Sequence, residues 1–314
     1  MSSLQSPAAP GEPRPPGEDS FEQALAAERR SREGGPPDWP AWMAPAALFG
    51  GLVVAAIGGL IVDLPAAAFG VNITSSHLPG GLVIADTVVQ DLAFILVAVL
   101  FARMGGRVVR AWQFGLRPPQ LRLLWTALLP FALLLVFVIF SVIWADLLNE
   151  STKEKLLEQL GANEGTTLLL LSAARTCVVA PICEEFLFRG FIFTALRNWG
   201  GTWPAAIITG LLFGGVHVGS APVVDLVPLA FLGFGLCLLY RVTGSLYPCI
   251  AAHSLNNSIA YGSLESWPFW QVIVLMGASL VVIGALVLAC KRVGLISSEP
   301  PLSSGAPAAV IPST

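Results

Sequence analysis

Glu184-Glu185-Phe186-Leu187-Phe188-Arg189-Gly190-Phe191 lies inside an apolar run, 166–196, that is long enough to cross a bilayer. A charge at the centre of a spanning helix costs about 2.5–3.5 kcal/mol on insertion scales, so two carboxylates and a guanidinium there point to a site. Glu185 and Arg189 are four residues apart with the carboxylate first, the order and spacing that favour an ion pair along one helix face. Glu184 is turned by about 100° from Glu185 and projects elsewhere. The spacing therefore separates a Glu185–Arg189 clamp from a free, reactive Glu184. Pro181, just before the pair, removes one backbone hydrogen bond, kinks the helix and leaves the Cys177 carbonyl partly free.

Around this segment the 314-residue chain is 55% hydrophobic and 12% charged, against roughly 25% charged in soluble domains, which places it in a membrane. Eight segments read as spans: 44–62, 82–102, 123–146, 166–196, 202–219, 223–241, 245–262 and 269–290. They lack the apolar/polar alternation of a barrel, so the expected fold is all-α, a polytopic transmembrane bundle of about eight spans. The chain divides into a disordered tail (1–40), N-terminal membrane helices (41–165), a membrane core that carries the charged segment (166–292) and a second disordered tail (293–314). Residues 1–40 are rich in Pro, Gly and charge and carry no apolar signal core.

Lys and Arg set the orientation. Except for Lys153, Lys155 and the intramembrane Arg175 and Arg189, they fall on one side of an eight-span chain, so both termini are expected in the cytoplasm, with the plasma membrane as the site. The tryptophans sit near span ends, as aromatic belts do. The basic loop 103–122, with Trp112 and Phe114, is expected to anchor on anionic lipid; nucleic-acid binding is not expected. The five cysteines lie in apolar segments without Cys-x-x-Cys spacing, so they read as small buried hydrophobes.

Two of the three histidines fall in later apolar segments. His217 ends Phe213-Gly214-Gly215-Val216-His217, where adjacent glycines admit a neighbouring helix. His253 and Asn257 are four apart and share a helix face. Counted from the cytoplasmic ends, Glu184 and His217 lie about 20 Å deep and His253 about 12 Å, compatible with one wet cavity open to the cytoplasm. His77 reads as a loop residue, Asp86, Gln90 and Asp91 as packing or cavity polarity, and Arg175 as able to snorkel outward.

A carboxylate, two imidazoles and an amide suit peptide hydrolysis by water. Glu184 can take the water's proton with His217 assisting, while His253 and Asn257 donate to the oxyanion. Alternatively, a divalent metal such as zinc could be held by Glu184, His217 and His253. His-Glu-x-x-His and Gly-x-Ser-x-Gly are both absent from the sequence. A non-catalytic membrane scaffold, or a transporter with a buried polar relay, is the competing reading; a transporter should show repeat-related broken helices.

At these residues the chain resembles the CPBP intramembrane protease family, which includes the type II CAAX prenyl endopeptidases and bacteriocin-processing and self-immunity proteins. The family's Glu-Glu-x-x-x-Arg, Phe-x-x-x-His and His-x-x-x-Asn become Glu184, Glu185 and Arg189; Phe213 and His217; and His253 and Asn257, in order, over roughly 175–262. The resemblance implies a metalloprotease-type membrane hydrolase. Glu184 and His217 would activate water, His253 and Asn257 would hold the oxyanion, and Glu185, Arg189 and Phe213 would support them. A membrane-associated peptide or protein would be the substrate.

Overall fold

Sustained apolar runs broken by Pro, Gly and basic residues give the chain helices and little else. The computed structural model describes residues 37–73, 78–148 and 165–296. These form eight helices and no strand: α1 Met43–Ala68, α2 Gly80–Ala102, α3 Leu123–Leu148, α4 Thr166–Gly200, α5 Thr202–Gly215, α6 Leu226–Thr243, α7 Leu246–Leu264 and α8 Phe269–Arg292. Six are long and apolar enough to cross a membrane: α1, α2, α3, α4, α8, and α6 together with the short 3-10 turn before it. The protein is an all-α integral membrane bundle. At 14 residues, α5 covers only about 21 Å of the roughly 30 Å hydrocarbon. α7 carries a run of polar residues, His253, Ser254, Asn256, Asn257 and Ser258.

The bundle is built inside out relative to a soluble protein. α3 buries only Pro130 and Leu134, and large apolar side chains along α1, α3 and α8 face outward. The buried helix is α4, where every residue from Phe186 to Leu196 is enclosed. Glycines bring α5 and α6 together: a Cβ on Gly214 would stand 2.6 Å from the Leu226 carbonyl, and one on Gly210 2.7 Å from that of Ala230. The neighbouring Gly215 faces open space, so one of the paired glycines makes the approach.

α4 departs from α geometry twice, as π-turns over Arg175–Val179 and Phe186–Phe193. The first precedes Pro181, whose ring nitrogen cannot donate. The carbonyl it leaves free, that of Cys177, accepts the Ser254 hydroxyl at 2.6 Å. In the second, the Thr194 hydroxyl caps the Arg189 carbonyl at 3.1 Å.

Several expectations need correction. The helix expected over 202–219 stops at Gly215, and His217 lies in a turn whose Ala221 N–H binds the His217 carbonyl at 2.9 Å. Two consecutive glycines propagate a helix poorly, which accounts for the early end. Trp112 and Phe114 do not lie on lipid; they are buried in a 3-10 turn, Ala111–Phe114, wedged beneath α4. The wedge is specific: Phe114 stacks on Phe186 at 4.3 Å, and a Cβ on Gly190 would meet the Phe114 carbonyl at 2.9 Å. The loop's backbone is stitched to the α6–α7 turn, with the Ser245 hydroxyl donating to the Arg117 carbonyl at 2.6 Å and the Leu246 N–H to that of Gly115 at 2.9 Å. Trp39, assigned to the aromatic belt at the end of the tail, is 2% exposed and packs on Phe114 and Phe191. His77 and most of both tails lie outside the described residues.

Candidate active site

The Glu185–Arg189 pair expected from the spacing is present and fully buried, with Arg189 Nη1 2.7 Å from Glu185 Oε1. That oxygen does a second job: it also takes a hydrogen bond from His253 Nδ1 at 2.8 Å. Arg189 reaches further, donating from Nη2 to the Gly233 carbonyl of α6 at 3.0 Å and lying 4.6 Å over the Phe213 ring of α5. One carboxylate and one guanidinium thus tie α4, α5, α6 and α7 together at a single level. Glu185 is therefore more than a clamp: it also sets the orientation of an imidazole.

A carboxylate that already pairs with Arg189 can only accept, so His253 presents Nδ1–H to Glu185 and keeps Nε2 for chemistry. Nε2 faces Glu184, whose Oε2 is 3.8 Å away. That is too long for a direct hydrogen bond and close enough for both groups to grip one small molecule. Glu184 Oε2 is buried and has no hydrogen-bond partner among the described residues. The rotation of Glu184 away from its neighbour puts the two carboxylates against different nitrogens of the same imidazole.

His217 is half-buried in the turn after α5. Its Nδ1 lies 2.7 Å from the Phe213 carbonyl, an acceptor only, so Nδ1 carries the proton and Nε2 offers a lone pair. The Phe213 ring touches both imidazoles, with centroids 5.0 Å from His217 and 5.5 Å from His253. Phe213 is thus the shared wall between them. Asn257 spends one amide hydrogen on the Thr176 carbonyl at 2.9 Å, in the first π-turn, and retains a second.

Two groups nearby were not assigned to the site by the sequence. Arg175 does not snorkel outward; its Nε and Nη2 bind Asp91 at 3.1 and 3.3 Å, and Asp91 is fully buried on α2. The signal that could have joined them is charge: an Asp and an Arg in two neighbouring apolar spans are expected to pair. Among the described residues, no three His, Cys, Asp or Glu side chains are grouped so as to hold a metal ion. The fixed Nδ1 of His253 and the 3.8 Å to Glu184 leave Nε2 and Oε2 facing each other across a gap that one small hydrogen-bonding molecule can bridge.

Residues 166–259 match the family described as "Type II CAAX prenyl endopeptidase Rce1-like", which contains all seven motif residues. The chain is 28% identical over 192 residues to an uncharacterized protein of Mycoplasma capricolum, covering 56% of this chain and 54% of that one. It is 35% identical over 81 residues to a Bacillus subtilis protein named "Putative membrane peptidase YdiL", covering 26% and 32%. The chain thus spans about half the length, or less, of these curated relatives. No solved structure matches it.

Proposed function

From the Rce1-like character of residues 166–259, we propose that this protein is an intramembrane endopeptidase that cuts a membrane-associated peptide or protein near the cytoplasmic face. The observation that carries the reading is the buried, unpartnered Glu184 Oε2 facing His253 Nε2 at 3.8 Å while Glu185 holds the other ring nitrogen. A water beside this pair loses a proton to Glu184 as its oxygen adds to the scissile carbonyl carbon. His217 Nε2 supplies a second acceptor for that water. The remaining amide hydrogen of Asn257 donates to the oxyanion, and His253 does so from Nε2 in its doubly protonated form, with Nδ1–H still held by Glu185. When the tetrahedral intermediate collapses, the C–N bond breaks and Glu184 returns the proton to the leaving amine. Arg189 and Phe213 position these groups. The distribution of Lys and Arg supports cytoplasmic termini, and the plasma membrane is the proposed location.

The test compares membrane proteomes of wild-type and Glu184→Ala cells. Peptides should accumulate uncut in the variant, with the protein still inserted at normal levels. An unchanged proteome would remove the protease reading and leave the scaffold or transporter. Treating wild-type membranes with EDTA decides the metal version: loss of cleavage restored by Zn²⁺ would assign an ion to Glu184, His217 and His253, and unchanged cleavage would leave the metal-free one.

A further inference from the structure

Asp91 of α2 and Arg175 of α4 are charged, intramembrane and unused by the chemistry above. Asp91 is fully buried, and both of its oxygens are taken by one guanidinium, at 3.1 and 3.3 Å. In an apolar interior such a two-pronged pair fixes both partners in place, because neither can leave without exposing the other. Arg175 is also the first residue of the π-turn Arg175–Val179. The carbonyls of that turn form the contact with the catalytic face of α7: Thr176 accepts from Asn257 at 2.9 Å and Cys177 from Ser254 at 2.6 Å. A π-turn is an irregular, easily shifted element, so the side chain that anchors its first residue governs where those carbonyls stand.

We infer that Asp91 and Arg175 are positioning residues, and that their ion pair locks the π-turn of α4 against α7 and so sets His253 and Asn257 relative to Glu184. The inference extends the site to α2, outside the segment 166–259. Its catalytic consequence rests on the protease reading; its structural consequence does not.

The chain has three histidines, so selective nitrogen-15 labelling of histidine gives few imidazole signals. In full-length protein in lipid nanodiscs, Asp91→Asn is expected to move the signals assigned to His253 by their loss in His253→Gln, and to leave those of His217 in place. Cleavage of the peptides that accumulate in Glu184→Ala cells is expected to fall about ten- to a hundredfold, the loss that an ångström of misplacement brings. Arg175→Lys, which keeps the charge but loses the two-pronged fit, should do the same to a smaller extent, and it carries the test if Asp91→Asn does not accumulate. Asp91→Glu should recover part of both effects. Stationary His253 signals overturn the inference, as does full cleavage in either variant. A lowered melting temperature with stationary signals would likewise overturn it, assigning the pair to stability alone. If Glu184→Ala accumulates no peptides, the protease reading fails while the histidine signals still decide this one.

Discussion

Glu185 Oε1 is the atom on which the site's geometry turns, since it holds Arg189 at 2.7 Å and His253 at 2.8 Å. Removing one member of a buried pair leaves the other uncompensated, at about 3–5 kcal/mol. Glu185→Ala should therefore lower thermal stability markedly and free the His253 ring, so that activity falls even where folded protein is recovered. Arg189→Ala should destabilise comparably, because Gly233 and Phe213 also lose a partner. Melting curves of the purified variants check this; wild-type stability in both would show that the pair contributes nothing to the fold. The spacing of Glu185 and Arg189 made this contact readable from the chain. The Glu185–His253 bond was not readable, because nothing local in either helix states how α7 rotates against α4. The same holds for Asp91 and Arg175, each of which has an innocuous reading when taken alone.

Among the elements, α5 and α6 are held by backbone approach, and two adjacent glycines make opposite predictions. Gly214→Ala would place a Cβ 2.6 Å from the Leu226 carbonyl, so the helices must part, at a cost of about 1–3 kcal/mol. Gly215→Ala meets nothing within 4 Å and should be neutral or slightly stabilising. Equal melting temperatures for the two variants would contradict the packing described. The order and approximate limits of all eight helices could be read from hydropathy, because apolar length is a local property. Where α5 ends could not, since its last turn is decided by Gly214, Gly215 and the following turn rather than by hydropathy. Nor could the burial of Trp112 and Phe114, because a basic, aromatic loop looks the same whether it lies on lipid or beneath a helix. The deciding residue, Gly190, is 76 positions further along the chain.

For the whole molecule, the one-sided distribution of Lys and Arg predicts that a reporter fused after the last residue fluoresces in the cytoplasm and stays inactive when it requires export. The opposite result would invert the bundle and move the proposed cleavage to the other face. Sealing the site among α4, α5, α6 and α7 also leaves α1, α3 and α8 mostly facing acyl chains, consistent with their exposed Phe, Leu, Ile and Val. The brevity of α5 bears on those acyl chains directly. A rod of about 21 Å in a bundle whose longer helices α1 and α3 reach about 39 Å cannot match a uniform hydrocarbon slab, so lipids along that flank must shorten or splay to keep the turn at His217 wet. Vesicles of short-tailed phosphatidylcholine should then support faster turnover than long-tailed ones, and a flat dependence on tail length would mean that the bilayer does not deform there. On this view the local thinning of the membrane would be part of the route by which solvent reaches the reacting bond.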